Sequence, residues 1–321
     1  MNAKVYALES IRRMRGGSQP QLMRCSDGEY YVVKFQNNPQ GLRVLANELL
    51  GGLLAKLLGL PVPEVRIIEV DEYLIKYTDQ MVIQLERSRV PLKSGLCVGS
   101  RYPQNLDLRG HLVPARVCDF LPQGMFGTVD NIADFLGMLV FDSWVGNMDQ
   151  RQVVFVQNER KNLSSPYYSH HALMIDEGFC FNGCKWNFPI SSKHGLFATA
   201  NVYAEVSGLD VFEVWLNRLE SVIDRSVLEL AAFEIPLEWN DGSLQSLDRL
   251  VTKLDERRHQ VRDLLCATRK AVPRFFPMWQ EQIVPPRKAH AKNRIARRRV
   301  LHEKLAISLM SRYVRRLMKR S

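Results

Sequence analysis

The sequence lacks any apolar stretch long enough to cross a membrane. Lys56 interrupts the apolar run 49–60, and Asp142 interrupts the run 135–145, whereas a spanning helix needs about 20 apolar residues in succession. The first ten residues, MNAKVYALES, also lack the apolar centre of a secretory leader. We therefore expect a cytoplasmic protein.

The sequence also lacks the ligand spacing of a structural zinc site. Its six cysteines are scattered, and only Cys180 and Cys184 are close to each other. No C-x-x-C or C-x-x-H pair completes a metal site, so we expect reduced and mostly buried thiols. Internal repeats and low-complexity tracts are absent as well.

Positive charge is concentrated at one end of the chain. The 321 residues carry a formal net charge of +10. From Ala271 to the C-terminus there are 14 Lys and Arg against 2 Glu, a net +12, which leaves 30 against 32, or −2, for residues 1–270. The overall composition, 46% hydrophobic and 24% charged, is typical of a globular protein, and the length suffices for one large two-lobed domain or two small ones.

The first part of the chain has the pattern of β-strands. Strands are predicted over 5–9, 21–25 and 30–35, and the sequence Asp27-Gly28 predicts a tight hairpin between the last two. The turn 15–20 contains two glycines and a serine, whose backbone N–H groups are free to approach phosphate oxygens. An ordinary flexible hairpin explains that turn equally well.

A lysine and a glutamate follow in consecutive elements. Lys34 lies in the third predicted strand, where a lone lysine usually faces solvent. The helix predicted over 41–58 carries Glu48 on its more polar side. A strand lysine paired with a helix glutamate is how kinases fix an ammonium group on nucleotide phosphates. The glycine pair 51–52 weakens this helix by about 1 kcal/mol per glycine and indicates close packing against the sheet.

Two aspartates lie on turns between apolar segments. A helical pattern over 132–145 is followed by Asp149 in a polar turn, and a strand pattern over 172–175 ends at Asp176, where Gly178 permits a sharp turn. Phosphoryl transfer uses such a pair, because one carboxylate accepts the proton of the attacking hydroxyl and another holds magnesium against the phosphates. Either aspartate alone is more often a helix cap or a solvated loop residue.

The remaining patterns define the fold class. Residues 64–70 and 73–77 predict a second hairpin, and 88–110, which lack periodicity, are interpreted as a surface insertion. A strand over 114–120 is followed by a break at 121–124, which we interpret as a hinge that offers backbone groups to an adenine ring. Helical patterns cover 128–145, 211–223, 226–233 and 243–266. The prediction is an α+β fold with a β-rich first part and an α-rich second part.

Taken in order, the segments GGSQP, YVVKF, the helix glutamate, GNMD and IDEGF resemble the HipA family of bacterial kinases, most closely the stand-alone HipA-like kinases, over about residues 5–267. That family's fold is related to protein kinases and phosphatidylinositol kinases. The resemblance implies a two-lobed kinase-like fold and a phosphotransferase that uses ATP and Mg²⁺. We expect a β-rich lobe over 1–118 with the insertion 88–110, a helical lobe over 119–270, and a basic linker and tail over 271–321.

The resemblance also implies a role for each motif. Lys34 would grip the α and β phosphates, and Glu48 would orient Lys34. Asp149 would be the catalytic base and Asp176 the magnesium ligand. The phosphate loop would comprise Gly16, Gly17, Ser18 and Gln19, and the hinge would comprise Cys118, Asp119, Phe120 and Leu121.

One position departs from the family pattern. The family usually places an asparagine, a second metal ligand, five residues after the catalytic aspartate, and here that residue is Val154. Either Gln152 or Asn147 substitutes for it, or a single metal suffices, or the chain binds nucleotide with weakened transfer. Arg151 adds a positive charge near the base that would neutralise phosphate, or else forms a surface salt bridge.

The acceptor of the phosphate is not encoded in any motif. The best-known relatives phosphorylate proteins, including aminoacyl-tRNA synthetases, and act as toxins with antitoxin partners, but fold does not fix substrate. A Ser/Thr protein kinase is the leading expectation, and the alternatives are a nucleotide-binding pseudokinase that serves as an interaction module and a lipid or small-molecule kinase. The amphipathic helix predicted over 288–320 would dock on the helical lobe or bind an anionic membrane surface, nucleic acid or an acidic protein.

Overall fold

The computed structural model describes residues 4–106, 112–159, 168–188, 195–240 and 242–280. The strands are β1 (Val5–Arg13), β2 (Gln21–Cys25), β3 (Tyr30–Lys34), β4 (Val65–Val70), β5 (Val82–Gln84), β6 (Arg89–Pro91), β7 (Gly95–Arg101), β8 (Gln104–Leu106), β9 (Leu112–Pro114), β10 (Val117–Cys118), β11 (Gln152–Glu159) and β12 (Tyr168–Ile175). The helices are α1 (Arg43–Leu57), α2 (Glu72–Lys76), α3 (Asp134–Val145), α4 (Glu213–Val222), α5 (Arg225–Phe233), α6 (Leu244–Arg258) and α7 (Val261–Ala271).

The N-terminal part is a closed barrel with the strand order β1-β2-β3-β7-β4. All neighbouring strands are antiparallel except β1 and β4, which are parallel. The three strands predicted first are confirmed, although β1 continues beyond the predicted end, to Arg13. The predicted hairpin turn is also confirmed, with Gly28 at a φ of +82°, a conformation that glycine adopts without strain.

Two predictions in this lobe are wrong. The interpretation of 88–110 as a surface insertion fails at β7, which lies in the barrel between β3 and β4 and whose Cys97 is fully buried. Residues 73–77 are not a strand, because Asp71 caps the N-terminus of α2 by accepting a hydrogen bond from the Tyr73 amide at 2.6 Å. A side-chain cap of this kind outweighs the strand propensity of Tyr73 and its neighbours.

Helix α1 connects the two parts of the molecule. The barrel has its own apolar core, which includes Val33, Phe35 and Ile68. The inner face of α1, with Leu45 and Leu49, belongs instead to a larger core that it shares with α3 to α7. Because α1 packs against both the barrel and the helices, a residue on α1 is held in a fixed position between the two lobes.

The second part is helical, with one small sheet. Strands β10, β11 and β12 form that sheet, and α3 packs beside it. Helix α3 ends at Gly146, whose left-handed conformation (φ 62°, ψ 49°) stops the helix as predicted. The helix predicted over 243–266 is divided into α6 and α7 by a turn at residues 259–260. The prediction of an α+β fold is confirmed.

Two further observations concern the chain as a whole. In the described ranges, no helix combines the length and the hydropathy of a membrane-spanning segment. The predicted amphipathic helix over 288–320 lies outside the described residues. Helix α7 and a short turn (Pro273–Phe275) come before that region, and the Gln280 amide donates to the Ser207 carbonyl at 2.8 Å.

Candidate active site

Lys34 is buried between two carboxylates from different parts of the chain. It is the last residue of β3 and only 7% exposed. Its Nζ donates to Glu48 Oε1 from α1 and, at 2.8 Å, to Asp176 Oδ1 from the turn after β12. The structure therefore brings together Lys34, Glu48 and Asp176, which are far apart in the sequence.

The electrostatics of these groups differ because their burial differs. Burial alone would lower the pKa of Lys34, but the two carboxylates outweigh it and raise that pKa above its ordinary value. Burial raises the pKa of Glu48 in spite of Lys34, whereas at Asp176 the attraction of Lys34 outweighs burial and lowers the pKa. Asp176 therefore carries a negative charge at neutral pH.

The turn at Asp176 is built differently from the prediction. Gly178 was expected to provide the sharp turn, but Asp176 itself has a φ of +64°. A non-glycine residue there costs of order 1 kcal/mol, and such residues cluster at functional sites. Gly178 is required for space instead, because a Cβ there would lie 2.8 Å from Val44 Cγ1 and 3.1 Å from Glu48 Oε1.

Asp149 lies at the same end of the small sheet as Asp176. In the antiparallel pair β11 and β12, Gln152 is opposite Ile175, so the turn before β11 and the turn after β12 are neighbours. A hydrogen bond of 3.0 Å from the Met148 amide to the Phe179 carbonyl joins the two turns. The Asp149 carboxylate is half-buried and accepts hydrogen bonds from the Gln150 amide (2.8 Å) and the Gln152 side chain (3.2 Å).

The two amides proposed to replace the missing asparagine have different environments. Asn147 is 1% exposed, donates to Asp142 Oδ1 at 3.0 Å and accepts from the Asp149 amide at 3.1 Å, so it shapes the turn. Gln152 is exposed, and because its nitrogen donates to Asp149, its carbonyl oxygen is left as an acceptor. Val154 pairs with Leu173 in the sheet and offers no ligand atom.

Arg151 does not lie where either interpretation of the sequence placed it. Its side chain is 0% exposed. It donates to both oxygens of Asp142, to the Ile175 carbonyl at 2.9 Å and to Glu177 Oε1 at 3.3 Å. The prediction of a surface salt bridge is wrong, and this burial leaves the guanidinium no path to a phosphate. Instead, Arg151 ties the last turn of α3 to the residues on either side of Asp176.

The predicted phosphate loop is partly committed to internal contacts. Gly16 and Gly17 are exposed, with Gly16 at a φ of +127°, whereas Ser18 is 3% exposed. The Gln19 side chain exchanges two hydrogen bonds of 2.8 Å with the backbone of Gln84, and its own amide donates to the Gly16 carbonyl at 3.1 Å. The loop therefore offers Gly16 and Gly17 to a ligand, and the prediction that Gln19 contacts nucleotide is not supported.

The predicted hinge lies close to this loop. Asp119 Oδ2 is 3.9 Å from Arg15 Nη1, and both side chains are exposed. Phe120 is 73% exposed, whereas Leu121 is buried in the larger core. The exposed side chains of Arg15 and Asp119 thus bring the predicted phosphate loop and the predicted hinge close to each other.

Sequence reasoning missed Asn47, although it is adjacent to Glu48. Its side chain is 0% exposed, donates to the Gly178 carbonyl (2.8 Å) and the Gly183 carbonyl (3.0 Å), and accepts from Trp186 Nε1 (2.7 Å). These bonds anchor α1 to the segment after Asp176. An asparagine inside an apolar helix was the available signal, because a buried amide needs partners.

The glycine pair 51–52 lets α1 pack closely against two neighbouring segments. A Cβ at Gly51 would lie 2.7 Å from the Cβ of Glu177, and one at Gly52 would lie 2.6 Å from Val65 Cγ1. One glycine therefore lets α1 approach the turn that carries Asp176, and the other lets it approach β4. The expected close packing against the sheet accounts for Gly52 alone.

A comparison with known families agrees with this geometry. The family model described as HipA-like kinase matches residues 8–108, which contain the predicted phosphate loop, Lys34 and Glu48. Over residues 8–108 the chain is thus similar to the HipA-like kinases. The resemblance seen in the motifs is thereby confirmed, and the β-rich lobe followed by a helical lobe is the kinase-like α+β fold that it implied. The HipA-like kinase match supports a phosphotransferase of the kinase type.

Several solved structures of kinases are similar at a distance. The proinflammatory kinase CtkA of Helicobacter pylori is 18% identical, with 82% of this chain and 95% of that chain covered and a TM-score of 0.49. The Golgi casein kinase is 10% identical, with 84% and 73% covered and a TM-score of 0.42; its form with Mn/ADP bound has the same identity and coverage and a TM-score of 0.38. No curated protein matches this sequence.

Proposed function

We propose that this HipA-like chain is an ATP- and Mg²⁺-dependent phosphotransferase that phosphorylates a serine or threonine of a protein. The observation that carries the proposal is the buried Lys34, held between Glu48 on α1 and Asp176 after β12. A buried ammonium with two carboxylate partners is costly to assemble. In a nucleotide site such an arrangement has a function, because a lysine fixed in this way binds the α and β phosphates.

The reaction follows from the positions of the two aspartates. The acceptor hydroxyl attacks the γ-phosphorus, a new O–P bond forms, and the bond between that phosphorus and the β,γ-bridging oxygen breaks to release ADP. Asp149 takes the proton of the attacking hydroxyl, because its carboxylate is half-buried and is oriented by Gln150 and Gln152. Arg151 and Asn147 are positioning residues: Asn147 shapes the turn that carries Asp149, and Arg151 holds the residues on either side of Asp176.

The residues present fit a magnesium ion bound together with phosphates. Among the described residues, no group of three or more His, Cys, Asp or Glu could hold a metal ion. Magnesium, however, is usually held by one or two carboxylates plus substrate phosphates and waters. Asp176, which is ionised at neutral pH, and the carbonyl of Gln152 are the oxygen ligands we assign to it. The ion would neutralise the charge that develops on the transferred phosphate.

The proposal includes the wider organisation of the chain. Residues 1–118 would form the nucleotide-binding lobe and 119–270 the helical lobe with the two catalytic turns, while 271–321 would serve as the basic linker and tail. A cytoplasmic location and an antitoxin-like regulatory partner remain predictions from the sequence. The tail's contacts with nucleic acid, an anionic membrane or an acidic protein also remain predictions.

The direct test is phosphate transfer from radiolabelled ATP with Mg²⁺, to the protein itself or to bacterial lysate proteins. Asp149→Asn and Asp176→Asn should each reduce transfer at least a hundredfold, because general-base and electrostatic contributions have about that size. Asp263→Asn, on the exposed first turn of α7, is the matched control. Transfer by either site variant at the wild-type rate would show that the assigned roles are wrong.

Val154 favours a second candidate, a nucleotide-binding module with weak transfer. This residue occupies the position of the family's second metal ligand and has an apolar side chain in the sheet. Val154→Asn would then raise transfer several-fold by adding the ligand. A wild-type protein that binds ATP and Mg²⁺ but labels neither itself nor any acceptor would favour this module over the enzyme.

A further inference from the structure

A group of exposed arginines lies beside the phosphate loop, outside the catalytic residues. Arg12 and Arg13 are at the end of β1, and Arg87 and Arg89 belong to the β5–β6 hairpin. All four side chains are exposed. We call these four residues the arginine surface.

Hydrogen bonds hold the two halves of the arginine surface together. Arg13 Nη2 donates to the Val82 carbonyl at 2.6 Å, and Arg89 Nε donates to Gln84 Oε1 at 3.0 Å. The backbone of Gln84 is paired at two points with the Gln19 side chain in the phosphate loop. The hairpin is therefore fastened to the end of β1 and to the phosphate loop.

The charge of the arginine surface is not compensated locally. In the described residues, none of its four members forms an ion pair, whereas Arg24, Arg66, Arg101, Arg225, Arg258 and Arg262 each pair with a carboxylate. Residues 10–20 carry three Arg and no acid, and residues 82–91 carry two Arg and one Glu, for a net +4. The rest of residues 1–270 then carries −2 − 4 = −6.

A cluster of like charges at one position on an otherwise acidic body indicates an anionic partner. The chain's own tail is excluded as that partner, because from Ala271 onward it carries +12. Two features favour an acidic protein segment over nucleic acid. Leu85 and Val90 in the same hairpin are 43% and 41% exposed, which gives the surface an apolar component. Residues 10–20 and 82–91 contain no aromatic side chain on which a base could stack.

We propose that the arginine surface docks a segment of the protein acceptor that is rich in glutamate and aspartate. Docking there places the acceptor at the edge of the phosphate loop, so that a serine or threonine near the acidic segment can reach a nucleotide held by that loop. The role of the partner as acceptor rests on the proposed kinase function. The docking itself does not, since it requires neither nucleotide nor transfer.

The test uses the full-length chain and a decaglutamate peptide as the probe. Hydrogen–deuterium exchange is compared with and without the peptide at low salt, and the readout is amide exchange in peptides that cover residues 8–20 and 80–92. We expect decaglutamate to slow exchange in both segments, and we expect this protection to be lost at high salt because exposed charges are screened. Because the readout is local, binding of the probe to the basic tail does not interfere with it.

A charge-reversed variant and a control complete the experiment. Arg12→Glu with Arg87→Glu should weaken the probe's effect on these segments about tenfold, whereas Arg249→Glu, an exposed arginine on α6, should not. Equal protection in the reversed variant, or none in the wild type, would overturn the proposal. Stronger protection by an oligothymidylate of equal length would also overturn it, by identifying a nucleic-acid surface instead. If Asp149→Asn loses phosphate transfer but decaglutamate still slows amide exchange in both segments, docking is independent of the chemistry, as proposed.

Discussion

Replacing Arg151 by alanine should destabilise the fold far more than replacing an exposed arginine. Its guanidinium donates to both oxygens of Asp142, to Glu177 and to the Ile175 carbonyl, and the three side chains are 0–2% exposed. Arg151→Ala leaves the Asp142 carboxylate with the Asn147 amide as its remaining side-chain partner among the described residues. Removing one member of a buried ion pair costs about 3–5 kcal/mol.

Glu177 adds less to this cost. Burial raises its pKa, and this weakens the dependence of Glu177 on the guanidinium. We therefore expect the free energy of unfolding to fall by about 3–5 kcal/mol, mostly through Asp142. For a protein stabilised by about 5–15 kcal/mol, that loss is a large fraction of the total.

The assay is urea unfolding followed by tryptophan fluorescence, with Arg225→Ala as the control. Arg225 pairs with Glu229 and Asp248 at the surface, and its loss should cost less than about 1 kcal/mol. Arg151→Lys should fall between the two, because lysine keeps the charge and loses the forked geometry. If Arg151→Ala and Arg225→Ala lost the same stability, the buried network would not exist as described.

Three further predictions concern the turns around the site. Gly178→Ala should lower transfer about tenfold or more, because its Cβ would lie 2.8 Å from Val44, whereas Gly124→Ala, with open space around it, should leave the rate unchanged. The Glu177 pKa rises on folding from 4.5 to about 8, so the contribution of Glu177 to the free energy of unfolding declines as the pH rises from 4.5 to 8. Glu177→Gln should flatten the dependence of that free energy on pH in this range, as measured by urea unfolding. Asn47→Ala should lower the free energy of unfolding by about 1–3 kcal/mol, because the buried carbonyls of Gly178 and Gly183 lose their donor. An unfolding temperature equal to that of the wild type, measured by calorimetry, would contradict this.

Local patterns were sufficient for the elements that carry the site. The hairpin at residues 27–28 and the end of α3 each have a glycine at positive φ, Gly28 and Gly146. Both turns are local, so the sequence around each glycine is enough to predict them. The positions of Lys34 and Asp176 at the ends of strands follow from apolar runs of the right length. These features need no information from distant parts of the chain.

Three of the errors share a physical cause, because each depends on partners that are remote in sequence. Strand β7 contains two glycines that weaken its strand pattern, and one of them, Gly99, is needed because a Cβ there would lie 2.6 Å from Ile68. The burial of Arg151 depends on Asp142 in α3 and on Glu177, 26 residues later in the chain, which local sequence patterns do not bring together. The Gln19 side chain is taken up by β5, which is 65 residues away.

The central claim is that Lys34, oriented by Glu48 and Asp176, grips the phosphates of a nucleotide. The most direct measurement is the affinity of a non-hydrolysable ATP analogue with Mg²⁺, by isothermal titration calorimetry, for the wild type and for Lys34→Met. A charge-assisted hydrogen bond is worth about 1.5–3 kcal/mol, so we predict a Kd at least tenfold higher for the variant. Equal affinity in two folded proteins would contradict the assignment of this site.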